Sequence, residues 1–181
     1  MLSLLKNNYK FNNIKIINTK NYKIKKNLIE KICYYRNIFN NNFIKKKVTF
    51  NSTKNFLLNS TDCKHRKTFL VIYKKKPIGI YGVKYVKSKY FILDTAIRFE
   101  NIGPKSTFKN IGKFFVKKIL KFPQKKEILL VIKKDNILAN KIHEYGKYVA
   151  VKKISKEFKL KKPFIVKKFL GFYDKTQSFR I

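Results

Sequence analysis

Thr68-Phe69-Leu70-Val71-Ile72-Tyr73, Lys74-Lys75-Lys76-Pro77 and Ile78-Gly79-Ile80-Tyr81-Gly82-Val83-Lys84-Tyr85-Val86 form one continuous stretch, and its reading decides the fold. Two β-branched and aromatic runs flank a break of lysines, a proline and Gly79, which predicts an antiparallel hairpin. A third strand is expected from Tyr90 to Phe99, with polar Asp94 and Thr95 in its middle. Gly103, Pro104 and Ser106 then mark a loop. Ile111, Phe114, Phe115 and Ile119 recur at helical spacing over about 109–121, and Pro123 ends that helix. Glu127 to Ile132 is a continuous apolar run, as in a buried strand. Asp135 is placed to cap a second helix, about 136–146, with Gly146 as its stop. Tyr148 to Val151 reads as a strand, Lys156 to Lys162 as a basic loop, and Phe164 to Tyr173 as a last strand. The order β-β-β-α-β-α-β-β is that of an α/β domain.

Toward the N-terminus the texture changes. Fourteen of the 18 asparagines lie in the first 60 residues, beside a single acid, Glu30. Residues 1–26 show no stable apolar period and read as a basic, Asn-rich extension. Leu28, Ile32, Tyr35, Phe39 and Phe43 predict a helix over 27–45, with Asn27 as its N-cap. Residues 46–60 read as a strand fragment and a loop. The expected organisation is therefore an extension (1–26), a helix and linker packing on the domain (27–65), and an α/β domain (66–181).

Charge bounds the function. The 181 residues hold 45 Lys plus Arg against 9 Asp plus Glu, a net charge of +36. With 44% apolar and 15% aromatic residues the chain can bury a core, unlike a disordered basic tail. A folded particle so charged repels itself unless it meets a polyanion. A free cytosolic enzyme, a secreted disulfide scaffold and a binder of acidic small substrates do not fit. Only four arginines (Arg36, Arg66, Arg98, Arg180) stand beside 41 lysines. Together with abundant Asn, Ile, Phe and Tyr, that is the signature of an AT-rich genome. Glu and Asp codons are also fairly AT-rich, so the sign of the charge is not explained by drift.

Cys33 and Cys63 make no disulfide framework. Asp62, Cys63 and His65 lack the second ligand pair a zinc site wants, so no metal is expected. No Ser/His/Asp order, phosphate-binding GxxxxGK[ST] or CxxC motif occurs. No apolar run approaches the roughly 20 residues of a membrane span. The start, Met1-Leu2-Ser3-Leu4-Leu5-Lys6, partly resembles a mitochondrial presequence, and a gene carried in the organelle would need none.

Three features resemble the GNAT superfamily of N-acetyltransferases over about residues 66–173. The hairpin with Lys76-Pro77-Ile78-Gly79 resembles the family's central hairpin with its hydrophobic-Gly pair. Phe108-Lys109-Asn110-Ile111-Gly112-Lys113-Phe114-Phe115 resembles its acetyl-CoA pyrophosphate loop. Val131 to Tyr148, with Asp135-Asn136, Ala139 and His143-Glu144, resembles the stretch closing the cofactor side. The resemblance implies a mixed, mainly antiparallel sheet flanked by helices. It also implies a cofactor site at Asn110, Gly112, Lys113 and Asn136, should one be retained. Thr107 and Asn110 depart from the family pattern of Arg or Gln, two residues, Gly, one residue, Gly or Ala. His143 stands at the usual Tyr, the acid that protonates the departing thiolate, and Glu100 at the ragged end of the third strand is a candidate base.

The expectation that follows is a degenerate GNAT-like domain within a mitochondrial ribosomal protein, bound in the matrix to ribosomal RNA and neighbouring ribosomal proteins, with no cofactor and no catalytic residue. Lys6, Lys10, Lys20, Lys23, Lys25, Lys26, Lys45, Lys46, Lys47, Lys74, Lys75, Lys76, Lys161 and Lys162 are the expected RNA contacts, residues 1–26 serving as an arm between RNA segments. Interleaved rings (Tyr73, Tyr81, Tyr85, Tyr90, Phe122, Phe158) are candidates for stacking on bases, half of them expected in the core. The alternative is a ribosome-associated N-acetyltransferase using acetyl-CoA, with a free cleft between Tyr90–Phe99 and Glu127–Ile132. A DNA-packaging role ranks last, for want of a groove-reading motif.

Overall fold

The computed structural model describes residues 5–6, 8–11, 13–39, 47–62, 65–99, 107–121, 127–142 and 146–172. Among them eight strands make one sheet: β1 (Asn8–Phe11), β2 (Ile14–Asn18), β3 (Arg66–Tyr73), β4 (Lys76–Val86), β5 (Tyr90–Arg98), β6 (Glu127–Lys133), β7 (Gly146–Ala150) and β8 (Phe164–Phe172). Their order across the sheet is β1-β2-β3-β4-β5-β6-β8-β7. Only β5 and β6 are parallel neighbours. Five helices accompany them: α1 (Lys26–Ile38), α2 (Phe50–Asp62), α3 (Thr107–Leu120), α4 (Ile137–Ile142) and α5 (Lys152–Glu157). The mixed, mainly antiparallel α/β sheet expected from the sequence is the one that forms.

The reading of residues 1–26 as an extension outside the domain does not hold. Residues 8–18 are β1 and β2, and β2 pairs with β3 from Ile14↔Tyr73 to Asn18↔Phe69. Leu5, Ile14 and Ile16 are buried, and Tyr9 lays its ring against Phe69, Phe114 and Phe115. Lys67 donates its ammonium to the Leu5 carbonyl, and burial pulls its pKa down. The period-two signal was present in Ile14-Lys15-Ile16, but it spans few residues among asparagines, which disfavour strands.

The helical layer also differs. α1 begins one residue early, with Lys25 rather than Asn27 at the N-cap and no side-chain cap bond. It ends at Ile38, and residues 40–46 lie outside the described residues. The strand fragment and loop expected over 46–60 are instead α2. Thr49 and Ser52 cap it reciprocally: the Ser52 amide donates to Thr49 Oγ1 (3.1 Å) and the Thr49 amide to Ser52 Oγ (2.9 Å). This is a capping box with serine in the place of glutamate. The interior is rich in Asn, Ser and Thr, weak helix formers, so packing of Thr53 and Leu57 decides the outcome. The Asn37 side chain joins α1 to the start of this segment, donating to the Val48 carbonyl (2.8 Å) and accepting from its amide (2.9 Å).

Three apolar clusters hold the layers. On one face Phe108, Ile111, Phe115, Val116 and Ile119 of α3 pack on Ile16, Phe69, Val71, Tyr81, Phe91 and Leu130. On the other, Leu28, Ile29 and Ile32 of α1 and Leu57 of α2 cover Leu70, Ile72, Ile80 and Ile97. Ile154 of α5 closes a smaller cluster with Tyr90, Ile92, Leu129 and Val166. α5 occupies the start of what reads as a basic loop, because Ile154 must reach that cluster. The second helix is described over Ile137–Ile142, and Gly146 opens β7 instead of ending that helix: a Cβ there would lie 2.6 Å from the Phe169 ring.

Candidate functional site

The sheet parts along one seam. β5 and β6 pair only at Tyr90↔Glu127, Phe91↔Ile128, Ile92↔Leu129 and Leu93↔Leu130. Beyond that point β5 pairs with β4 alone, and β6, from Val131 to Lys133, with β8 alone. The cleft anticipated between these strands is therefore closed over its first four positions and open above them.

A bulge causes the parting. Tyr81 faces Ala96 and Val83 faces Leu93, so Gly82 of β4 opposes two residues, Asp94 and Thr95. The extra residue kinks β5 and turns its upper half away. Gly82 is required for this: a Cβ there would lie 2.6 Å from Asp94 Oδ1 and 3.3 Å from Thr95 Cβ. Asp94 pairs with Arg66 and, at 3.0 Å, with Lys84. Burial pushes its carboxyl above the ordinary value, and the Arg66 guanidinium and Thr95 hydrogen bonds pull it back. Arg66 lies over the Phe56 ring at 5.0 Å, so the bulge is braced against α2. The sequence signal was the polar pair inside an apolar strand; its meaning needed the partner strand.

On the α3 side, Tyr81 is completely buried and stacks on Phe115 (5.3 Å, 13°). Its hydroxyl has no hydrogen-bond partner among the described residues. Burial, then Tyr148 and Asp94, push its pKa well above the ordinary tyrosine value. Tyr148 of β7 and Phe172 of β8 continue this wall through contacts with Phe169.

α3 starts at Thr107, so the amides of residues 107–110 form its unpaired first turn and those from Ile111 on are engaged along the helix. The first turn itself has no acid. Phe108 anchors it to the sheet: a Cβ on Gly79 would lie 2.3 Å from both the Phe108 ring and the Ile97 carbonyl. Of the residues expected at a cofactor, Asn110 is half-buried in the first turn and Gly112 is buried in the second. The half-buried Lys113 places its ammonium 5.9 Å from the Phe172 ring centre. Asn136 is the N-cap of α4, accepting from the Ala139 amide (2.9 Å), the role expected of Asp135. Asp135 instead pairs with Lys133 at 3.1 Å. Glu100, His143 and Glu144 lie outside the described residues.

Lys6, Lys10, Lys20, Lys23, Lys25, Lys26, Lys47, Lys74, Lys75, Lys76, Lys161 and Lys162 are all exposed; Lys45 and Lys46 lie outside the described residues. Those of the supposed arm stand along the β1–β2 edge and the start of α1. Of the six interleaved rings, half are in the core, as expected. Tyr81, Tyr85 and Tyr90 are buried, Tyr73 and Phe158 half-buried, and Phe122 lies outside the described residues. Among the described residues the exposed aromatic is Tyr34, on α1. No group of three or more potential metal ligands occurs among the described residues, and no helix there is long and apolar enough to cross a membrane.

No protein-family model and no curated protein matches the chain in sequence. Solved structures match in shape. The N-acetyltransferase PseH of Campylobacter jejuni, in complex with acetyl coenzyme A, superposes with a TM-score of 0.60 at 17% identity, covering 87% of this chain and 98% of that one. An acetyltransferase of Salmonella typhimurium that modifies the N-terminal serine of a 50S ribosomal subunit protein gives 0.66 at 7% identity, over 91% and 97%. FdhC, a nucleotide-linked sugar GNAT, gives 0.62 at 16%, over 90% and 89%. The fold is that of the GNAT acetyltransferases, and likeness at these identities extends to the fold alone.

Proposed function

We propose that this protein is a structural constituent of the mitochondrial ribosome: a GNAT-fold domain held on ribosomal RNA and neighbouring ribosomal proteins, without catalysis of its own. One observation carries the reading. The carboxylates with described side chains, Glu30, Asp94, Glu127, Asp135 and Glu157, are all paired with cations of the same chain. Exposed lysines far outnumber these carboxylates among the described residues. The first turns of all five helices are likewise without an acid. RNA phosphates supply the missing charge. With three of the six interleaved rings buried and two half-buried, the contact is mainly with the phosphate backbone. The mitochondrial assignment rests on the AT-rich composition. Filter retention on RNA at several KCl concentrations tests the RNA reading. Neutralising ~6 phosphates predicts a slope of about −4 to −5 in log K against log salt, and a slope near zero would sink it.

A second reading, an acetyl-CoA-dependent N-acetyltransferase at the ribosome, is favoured by the parting of β5 from β6. The inner edges of that opening lack ladder partners on each other, which suits an extended, amide-bearing arm. The α3 first turn, with Lys109 and Lys113, would face the phosphates. The fit is partial, because Asn110 places a side chain where the family has glycine, and the Gly112 amide belongs to the helix ladder. The bound group would supply an activated acyl thioester. Isothermal titration with acetyl-CoA separates the readings: low-micromolar binding abolished by Gly112→Trp, with acetyl transfer to a ribosomal protein, would favour the enzyme.

A further inference from the structure

The β3–β4 turn is made by two residues, Lys74 and Lys75, between the paired Tyr73 and Lys76. Both have left-handed backbones, φ 46° and 65°. That is the type I′ geometry, for which Asn-Gly is the normal solution, since any other side chain is strained there. Five non-glycine residues among those described have positive φ: Lys74, Lys75, Lys87, Ser88 and Lys159. Four are lysines and none is asparagine, in a chain with 18 asparagines. AT-rich drift supplies Asn as readily as Lys, and Asn suits this conformation better. Drift does not explain lysine at these positions.

Two of the four have internal reasons. Lys87 pairs with Glu157 at 2.9 Å and lies over the Phe158 ring. Lys159 ends α5, where its amide donates to the Lys156 carbonyl and that of Leu160 to the Ser155 carbonyl. Lys74 touches only the ring of Tyr73, and Lys75 has no partner among the described residues.

The register puts the Lys74–Lys75 turn at the end of the sheet where β5 and β6 finish, beside the opening. Lys76, Lys134, Lys161 and Lys162 are exposed at the same end. The strands and turns there hold one described carboxylate, Asp135, already paired with Lys133. At the opposite end Lys87 and Lys89 are matched by Glu157 and Glu127. Among the described residues the ion pairs with Glu127 and Glu157 thus gather at that opposite end, while the Lys74–Lys75 end holds more exposed lysines than its one described acid can match.

We propose that the Lys74–Lys75 end of the sheet is the RNA face of the molecule, and that Lys74 and Lys75 occupy a strained turn because they grip RNA phosphates. This rests on the RNA-bound reading above and names the surface that serves it. The test uses the full chain and the double variant Lys74→Asn/Lys75→Gly. Relief of strain should raise Tm by roughly 3–6 °C, while loss of two phosphate contacts should flatten the salt slope by about 1.4 and weaken single-stranded RNA binding about tenfold. Lys87→Asn/Lys89→Asn, which removes as much charge from the opposite end, should weaken binding less than about threefold. Equal losses in the two variants, or an unchanged Tm in the first, would overturn the proposal while leaving RNA binding intact. Wild-type protein that ignores RNA at low salt would overturn the RNA-bound reading itself. Binding to anionic phosphatidylglycerol vesicles but not to RNA would assign the face to a membrane surface and overturn the proposal.

Discussion

The two sides of the sheet are built differently. From β1 to β5 each strand is antiparallel to the next, with long registers and a helical layer on either face. At β5–β6 four parallel pairs join the halves, and above them the sheet opens. Apolar area is buried on both sides of that seam, but inside the sheet it is at the seam that strand backbone is left without a ladder partner. The contrast teaches that the opening is not a packing defect. It follows from one extra residue at Asp94–Thr95, tolerated because Gly82 has no side chain and because Arg66 and Lys84 hold the carboxylate.

If stability resides in the closed region, its edge hairpin should be indispensable. Deleting residues 1–18 removes Leu5, Ile14 and Ile16 from the core at about 1.5–3 kcal/mol each, on the order of a domain's whole stability. The truncated chain should show no cooperative thermal transition by circular dichroism. A melt within a few degrees of wild type would restore the picture of a detachable arm. Phe115→Ala strikes the centre of the same region, between Phe69 and Tyr81, and should cost about 3–5 kcal/mol in chemical denaturation.

The seam can be probed through its glycines. Gly82→Val forces a side chain against Asp94 and should destabilise by about 2–3 kcal/mol. Gly171→Ala, with nothing within 4 Å of the added Cβ, should be neutral or stabilise by about 0.5 kcal/mol. Equal effects would mean that the bulge is not under steric control. A similarly small effect is expected of Tyr81→Phe, which removes a buried hydroxyl without a partner among the described residues. The variant should match or exceed wild-type stability by up to about 1 kcal/mol. A loss of more than that would reveal a partner for the hydroxyl.

Much of this architecture was legible in the residues. The β3–β4 hairpin, β5, α3, β6 and β8 follow from long apolar runs whose periods are unambiguous. β1, β2, α2 and α5 were hidden because each is short, or rich in Asn, Ser and Lys, and takes its structure from a buried surface elsewhere. Ile16 declares a strand only once Val71 is opposite it, and Ile154 a helix only once Tyr90 and Val166 are beneath it. At the candidate site Gly79, Asp94 and Thr95 stood out in the sequence. Their consequence, a sheet that parts, depends on a register no single strand reveals. The lysines were countable from the start, but the matching of some by Glu127 and Glu157, and the exposure of others at the opposite end, is a property of the fold.

Sedimentation of the native protein with ribosomal subunits tests the central claim most directly. Mitochondrial lysate is resolved on gradients at increasing KCl, and the protein is followed against the ribosomal RNA. The account predicts co-migration with a ribosomal subunit at low salt, retained through a moderate-salt wash and lost steeply as salt rises. Protein that stays at the top of the gradient even at low salt, while the purified chain binds acetyl-CoA tightly, would contradict it.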